Sequence, residues 1–274
     1  METSTAMTGA SDNSMSGNPN AFEKLMAQRN SKGKSEESLH SNSFPQKTYK
    51  NRNELGAYTA NPQKYVPSRV LYYDNKFVVI NDMYPKASVH TLLLPRSKAH
   101  NLQHPFDAFE DADFLAEVRT EADKLRRHVA GELRRKFGKY SAQDAEREAI
   151  LNGDGELIAR VDGKIDLPSG RDWSEDVKIG IHAGPSMNHL HIHVISRDMF
   201  SERLKHRKHY NSFNTPFLVD LADFPLPIND PRRHHKGAFL SQDLVCWRCG
   251  QNFGNRFSKL KNHLVEEFER WKRE

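Results

Sequence analysis

Between residues 66 and 100 the apolar positions fall in three short runs, RVLYYD, KFVVIND and SVHTLLLP. All are rich in β-branched or other apolar side chains, and Asp74-Asn75 and Tyr84-Pro85-Lys86 separate them. Runs of this kind between turn residues predict a meander of antiparallel strands. From residue 105 the period lengthens. PFDAFEDADFLAEVRTEADKLRRHVAGELRRKF reads as one long helix, acidic early and basic late, as the helix dipole favours. DVKIGIHAG and NHLHIHVIS predict a fourth and fifth strand. Five strands with one major helix between the third and fourth make an α+β unit of modest size.

The flanks are less regular. Residues 1–45 are rich in Ser, Asn, Gly, Lys and Glu and read as a disordered tail, apart from a short helix around NAFEKLMAQ. Residues 47–65 predict a helix, with Leu55 and Tyr58 three apart and Asn61-Pro62 as its stop. Residues 138–175 are polar and glycine-rich and read as an insertion or mobile loop. A basic, aromatic run, RDMFSERLKHRKHYNSFNTPF, leads to a proline-rich linker over 224–231. The expected organisation is therefore a tail (1–45), a main domain (46–235) and a small C-terminal unit (236–274).

Composition narrows the setting. No apolar stretch approaches the ~18 residues of a membrane span, and METSTAMTGASDNSMSG lacks the apolar core of a secretory signal, so no membrane partner is expected. Asp12 and the lack of early arginine argue against a mitochondrial presequence. The net charge of +5 is a mild basic excess. It concentrates after Pro231, where ten Lys/Arg face five Asp/Glu, and is compatible with a nucleic-acid partner.

The two cysteines, Cys246 and Cys249, are spaced as metal ligands. His263 follows at the interval of a ββα zinc finger, and Glu267 stands where a second histidine usually sits. His263 and Glu267 are i,i+4, so one helix face presents both. Two thiolates, one imidazole and one carboxylate make a sound zinc site, one ion per chain. Phe257 and Leu260 supply the small core. Arg248, Arg256, Lys259 and Lys261 could hold phosphates.

In PSMNHLHIHVIS, His189, His191 and His193 occupy alternate positions. On a strand they share one face while Leu190, Ile192 and Val194 share the other. Three readings stand: a metal site completed by His90 or His182, a histidine nucleophile with its supports, or a polar strand face. The nucleophilic reading needs an acceptor to fix the tautomer and donors for developing negative charge. Ser186, His182, His90 and Lys86 lie on neighbouring segments.

The pattern His-φ-His-φ-His-φ-φ (φ apolar), fitted by HLHIHVI, resembles the signature of the histidine-triad superfamily of nucleotidyl hydrolases and transferases. With NDMYPKASVH, GIHAGPSMNHLHIHVIS, KHYNSFNTPF and the finger, the chain is similar to the aprataxin branch over about residues 66–267, apart from 138–175. The resemblance implies a histidine-triad fold, an antiparallel five-stranded sheet with helices, fused to the finger. It implies a nuclear DNA 5′-adenylate hydrolase that reverses abortive ligation.

By that resemblance His191 attacks the α-phosphorus of the adenylate and forms a transient adenylyl-histidine, with AMP as product and no metal in the hydrolytic step. His189 and His193 orient His191 and bind phosphate oxygens. Ser186 and His182 contact the phosphate, and His90 assists departure of the DNA 5′-phosphate, which Lys86 neutralises. Asp82 holds the ribose, Ile80 and Met83 pack on adenine, and Lys208, His209 and Ser212 touch the strand. Partners implied are nicked or adenylated DNA, with RNA–DNA junctions also in reach, and the chain is expected to be a monomer. Residues 1–45 are too short for a forkhead-associated domain. The rival expectations are a hydrolase of small adenylates or phosphoramidates, which the basic finger disfavours, and a non-catalytic zinc-finger module.

Overall fold

The β-branched runs form the strands expected of them: β1 (Val70–Tyr73), β2 (Phe77–Asn81) and β3 (His90–Pro95). This computed structural model describes residues 51–155 and 166–274. The expected tail and its short helix, the start of the 47–65 helix and the centre of the 138–175 segment lie outside them. The Asp74-Asn75 turn works through a side chain, since Asp74 Oδ1 accepts from the backbone N–H of Lys76 and of Phe77 at 2.7 Å each.

The first helix is shorter than expected. α1 is Leu55–Ala60, and a 3-10 turn at Pro62–Lys64 follows the Asn61-Pro62 stop. The long helical pattern divides into α2 (Pro105–Ala108) and α3 (Ala112–Phe137). Asp111 sits between them in extended backbone and accepts from the Phe114 N–H at 3.0 Å, an N-cap that starts a new helix.

The segment read as an insertion is partly built into the fold. It forms a 3-10 turn (Gly138–Tyr140), α4 (Ala145–Leu151) and a second 3-10 turn (Trp173–Asp176), with Asp144, Arg171 and Trp173 buried. Composition concealed this because the buried polar groups are satisfied by each other rather than by water. β4 (Val177–His182), β5 (Ile192–Ser196), α5 (Arg207–Asn214) and β6 (Leu218–Asp220) follow.

Among the described residues the sheet therefore has six strands rather than five, all pairs antiparallel, in the order β1-β2-β3-β5-β4-β6. β6 is three residues long, too short to announce itself by alternation. Gly180 admits it, because a Cβ there would stand 2.7 Å from the Val219 carbonyl oxygen.

One sheet face presents Val79, Leu93, Ile179, Ile192 and Val194 to the α3 stripe Leu115, Val118, Ala122, Leu125, Val129 and Leu133. Each large side chain fully buried there is worth about 1.5–3 kcal/mol. The opposite face carries Val78, Ile80, Leu92 and Leu94 under Leu55 and Tyr58 of α1.

After α6 (Pro231–His234) and α7 (Lys236–Leu240) the chain forms the C-terminal unit. Its hairpin is reduced to one bridge, Val245 with Asn252, and its helix α8 is Phe257–Trp271. Residues Tyr49–Glu274 make one compact unit. Leu244, Cys246, Phe253, Leu260 and Leu264 pack with Ile195, Met199, Tyr210 and Phe213 in a shared cluster. The Tyr210 hydroxyl donates to the Val245 carbonyl and accepts from the Trp247 N–H, both at 2.9 Å.

Candidate active site

β5 begins at Ile192, so only His193 of the three alternate histidines lies in the strand; His189 and His191 occupy the segment leading into it. The alternation still separates the side chains. Leu190, Ile192 and Val194 enter the core under α3. The His191 and His193 rings lie 5.0 Å apart and edge-on, and His182 from β4 and His90 from β3 close around His193 at 4.4 and 5.2 Å. The His189 ring departs from the expected cluster. It packs on α1, where a Cβ on Gly56 would come within 2.5 Å of it.

Backbone groups fix the ring protons. His191 Nδ1 lies 2.7 Å from the His189 carbonyl oxygen, which can only accept. Nδ1 therefore carries the proton and Nε2 keeps its lone pair. At His90 the logic runs the other way. The Lys86 N–H donates to Nδ1 at 3.2 Å, so the proton is on Nε2, which donates to His193 Nδ1 at 2.9 Å. His193 must then carry its proton on Nε2, a buried atom with no protein partner among the described residues. His182 Nε2 is likewise buried and unpartnered.

Burial keeps these rings neutral. It pushes His90 down to about 4, although Asp82 opposes it with Oδ2 3.6 Å from Nε2. His191 is lowered by burial against the opposing pull of the His189 carbonyl and Asp82. His182 and His193 are lowered further by burial and by neighbouring rings. A neutral His191 with a free Nε2 is a competent nucleophile near neutral pH.

The remaining expected residues divide into those at the rim and those outside. Asp82 is half-buried and accepts from the Tyr84 N–H at 2.6 Å through Oδ1; Ile80 is fully buried in β2, and Met83 is exposed. Lys86 is half-buried, its Nζ bonded to the Tyr84 carbonyl, and burial lowers its pKa. Ser186 is exposed on the loop before His189, and its carbonyl accepts from Arg52 Nε at 3.0 Å. A cleft of about 190 Å³ opens beside that loop, lined by Arg52, Gln103, His104, Met187, Asn188 and His189 among others. On α5, Lys208 is exposed, the His209 ring stacks with His206 at 3.5 Å, and Ser212 is buried with its hydroxyl on the His209 carbonyl at 3.1 Å.

Three supports escape a reading of the sequence. Phe213 of α5 walls the site, its ring 5.3, 5.1 and 4.8 Å from those of His90, His193 and His182. Asp198 is fully buried. It accepts from the Ser88 N–H (3.0 Å), the Ser88 hydroxyl (3.1 Å), the Phe200 N–H (2.8 Å) and the Ser196 hydroxyl, pinning the loop before His90 to the end of β5. Arg52 and Asn53 tie the chain just before α1 to the Ser186 loop. Asn188 donates from its backbone N–H to the Arg52 carbonyl (2.9 Å) and from Nδ2 to Asn53 Oδ1 (2.7 Å).

In the C-terminal unit, donor atoms of Cys246, Cys249 and His263 lie within 4.8 Å of one another, with Cys249 Sγ 3.1 Å from His263 Nε2. A tetrahedral zinc holds sulfur and nitrogen about 3.5 Å apart, so this donor set fits the ion. Glu267 Oε1 comes within 3.6 Å of His263 Nε2, but the same oxygen accepts from Arg270 and its mate Oε2 from Arg248, at 2.7 Å each. Arg248 also pairs with Glu274, so it is not a free phosphate ligand as expected.

His182, His191 and His193, and Asp82, His90 and His193, are equally clustered. There the hydrogen bonds argue against an ion on His193 Nε2. Deprotonating that atom would reverse the relay and set two donors, the Lys86 N–H and His90 Nδ1–H, against each other.

Residues 63–200 match the HIT domain family and residues 214–270 the C2HE / C2H2 / C2HC zinc-binding finger family. An aprataxin-like protein of Schizosaccharomyces pombe is 34% identical over 80% of this chain and 82% of its own length. One from Saccharomyces cerevisiae is 34% identical over 79% of this chain and 95% of its own. The crystal structure of the aprataxin ortholog Hnt3 in complex with DNA aligns with a TM-score of 0.62 at 32% identity, covering 80% of this chain and 96% of that one.

Proposed function

The chain belongs to the aprataxin branch of the histidine-triad family, and we propose that it is a DNA 5′-adenylate hydrolase that removes AMP from abortive ligation intermediates. One observation carries the chemistry: the His189 carbonyl holds the His191 proton on Nδ1, leaving the Nε2 lone pair free in a buried, neutral ring. Nε2 attacks the α-phosphorus of the adenylate. The P–N bond forms as the P–O bond to the DNA 5′-phosphate breaks, and the phosphate leaves as an anion beside Lys86. Water then cleaves the P–N bond, releasing AMP and restoring His191.

The other groups serve the developing charge. His193 Nε2–H, which has no partner among the described residues, donates to a non-bridging oxygen of the reacting phosphate, with the His182 ring beside it. His90 commits its ring proton to His193, so it acts through that ring rather than directly on the leaving group. His189 contributes its carbonyl. Ser186 meets the phosphate from the loop, Asp82 the ribose hydroxyls and Met83 the adenine, while the fully buried Ile80 supports that wall from beneath. Lys208, His209 and Ser212 follow the DNA strand, as do Arg256, Lys259 and Lys261 of the finger.

Zinc is structural, one ion held by Cys246, Cys249, His263 and Glu267, and hydrolysis needs no metal. The protein acts as a nuclear monomer on nicked or adenylated DNA, with RNA–DNA junctions in its range.

The test is incubation with a 5′-adenylated nicked duplex and with a small AMP-amidate. The unsubstituted chain should release AMP from the nick with the higher kcat/KM. His191→Ala should lower that by at least about 10³-fold while nick binding persists. Faster turnover of the amidate would assign the protein to small adenylates, and binding without cleavage by the unsubstituted chain would make it a binding module.

A further inference from the structure

We propose that Arg171 is a positioning residue that aligns the finger helix for adenylated duplex DNA, and so sets the preference for nicks over small adenylates. The inference rests on the DNA-adenylate reading above. Its basis is a buried junction between α8 and residues 141–144 and 171–176. Arg171 is 5% exposed, and its guanidinium lies against the perpendicular rings of Trp173 and Trp271, 4.1 and 5.1 Å from their centroids. Nη1 donates to the Trp271 carbonyl at 2.6 Å, while Nε and Nη2 donate to Asp176 Oδ2 at 3.1 and 2.8 Å. Trp271 Nε1 returns a hydrogen bond to Asp176 Oδ1 at 2.8 Å. Asp144 accepts from the Arg171 N–H (3.0 Å) and from Trp173 Nε1 (2.7 Å). Just past the helix, the backbone N–H groups of Ala142 and Gln143 donate to the carbonyls of Arg273 and Glu274.

α8 thus has two anchors. Leu260 and Leu264 sit in the cluster shared with α5, and Phe268 and Trp271 sit in the core beside α3. Leu260 and Trp271 are about 16 Å apart along the axis at 1.5 Å per residue. One anchor places a helix; two separated anchors also fix its direction.

Charge divides along the same line. Glu267, Glu269, Arg270, Lys272, Arg273 and Glu274 are paired among themselves or with Arg248 and Arg171. Arg256, Lys259 and Lys261, at the other end, form no ion pair among the described residues and are left for an anionic partner. Phosphate contacts must hold to about 3 Å, so a tilt of α8 disturbs them, whereas a small adenylate never reaches them.

The test uses the full chain with two variants. Arg171→Met combined with Asp176→Asn removes both charges together, so no unpaired ion is left buried. Trp271→Phe keeps an aromatic ring but loses the Nε1 hydrogen bond to Asp176 and part of the buried indole volume. In the double variant KM for the adenylated nick should rise at least about tenfold, with kcat and the AMP-amidate kcat/KM within about twofold of the original, and Trp271→Phe should shift KM in the same direction by less. Amide exchange in α8 should quicken while β3 and β5 stay protected. An unchanged KM, or equal losses on nick and amidate, would overturn the assignment. If the unsubstituted chain fails to cleave the nick, the substrate reading is what fails; α8 exchange then decides the anchor by itself, and unchanged exchange refutes it.

Discussion

At His191 one carbonyl decides the chemistry. Because the His189 oxygen holds Nδ1–H, the reactive nitrogen needs no base to expose it. Burial lowers the His191 pKa, so the nucleophile stays neutral through pH 6.5, and the acid limb of kcat/KM should fall below that value, read from a pH–rate profile on the adenylated nick. His90 sets a matching dependence of stability. Its pKa falls from 6.5 to about 4 on folding, so between those values the unfolded chain takes up a proton that the folded chain refuses. Stability contributed by the neutral ring is complete above pH 6.5 and is lost as pH falls towards 4, by about 3 kcal/mol. Denaturant titrations at pH 7.5 and 5 should show the drop, and His90→Asn should make it smaller without abolishing it, since burial also lowers His182, His191 and His193.

The elements were legible to different degrees, for physical reasons. β1 to β5 and α3 bury continuous stripes, and a stripe leaves a period in the sequence. β6 spans too few positions for one. Asp198, Phe213 and Arg52 act across long separations, 110 residues for Asp198 to Ser88 and 134 for Arg52 to Ser186, which no local pattern encodes. The histidines themselves are legible because alternation and chemistry coincide there, although the strand starts later than alternation implies. The junction of α1 with the Ser186 loop is the most exposed to change. Gly56→Ala puts a methyl 2.5 Å from the His189 ring, and ring and helix must part. Overpacking of this kind costs about 1–3 kcal/mol. We expect a lower melting temperature and a fall in kcat with the nick, since the carbonyl that sets the His191 tautomer belongs to the displaced residue.

Across the whole molecule, the finger is continuous with the catalytic sheet. Ile195 of β5 and Phe213 of α5 share a cluster with Cys246, Leu260 and Leu264. Removing zinc should therefore do more than weaken DNA binding. Metal analysis should find one zinc per chain, lost in Cys246→Ala. Chelation should lower the melting temperature and also reduce turnover of a small AMP-amidate; full amidate activity in the zinc-free protein would show the two parts to be independent.

The junction at Arg171 also has a consequence in time. The Trp271 carbonyl that Arg171 requires lies 100 residues further along the chain. At ~5–20 residues per second, it leaves the ribosome about 5–20 s after Arg171 does. Throughout that interval the Trp173 ring and the Arg171–Asp176 pair lack their cover. The nascent protein thus passes through a window in which its sheet can form but one of its apolar faces is open to chaperones, proteases and neighbouring chains.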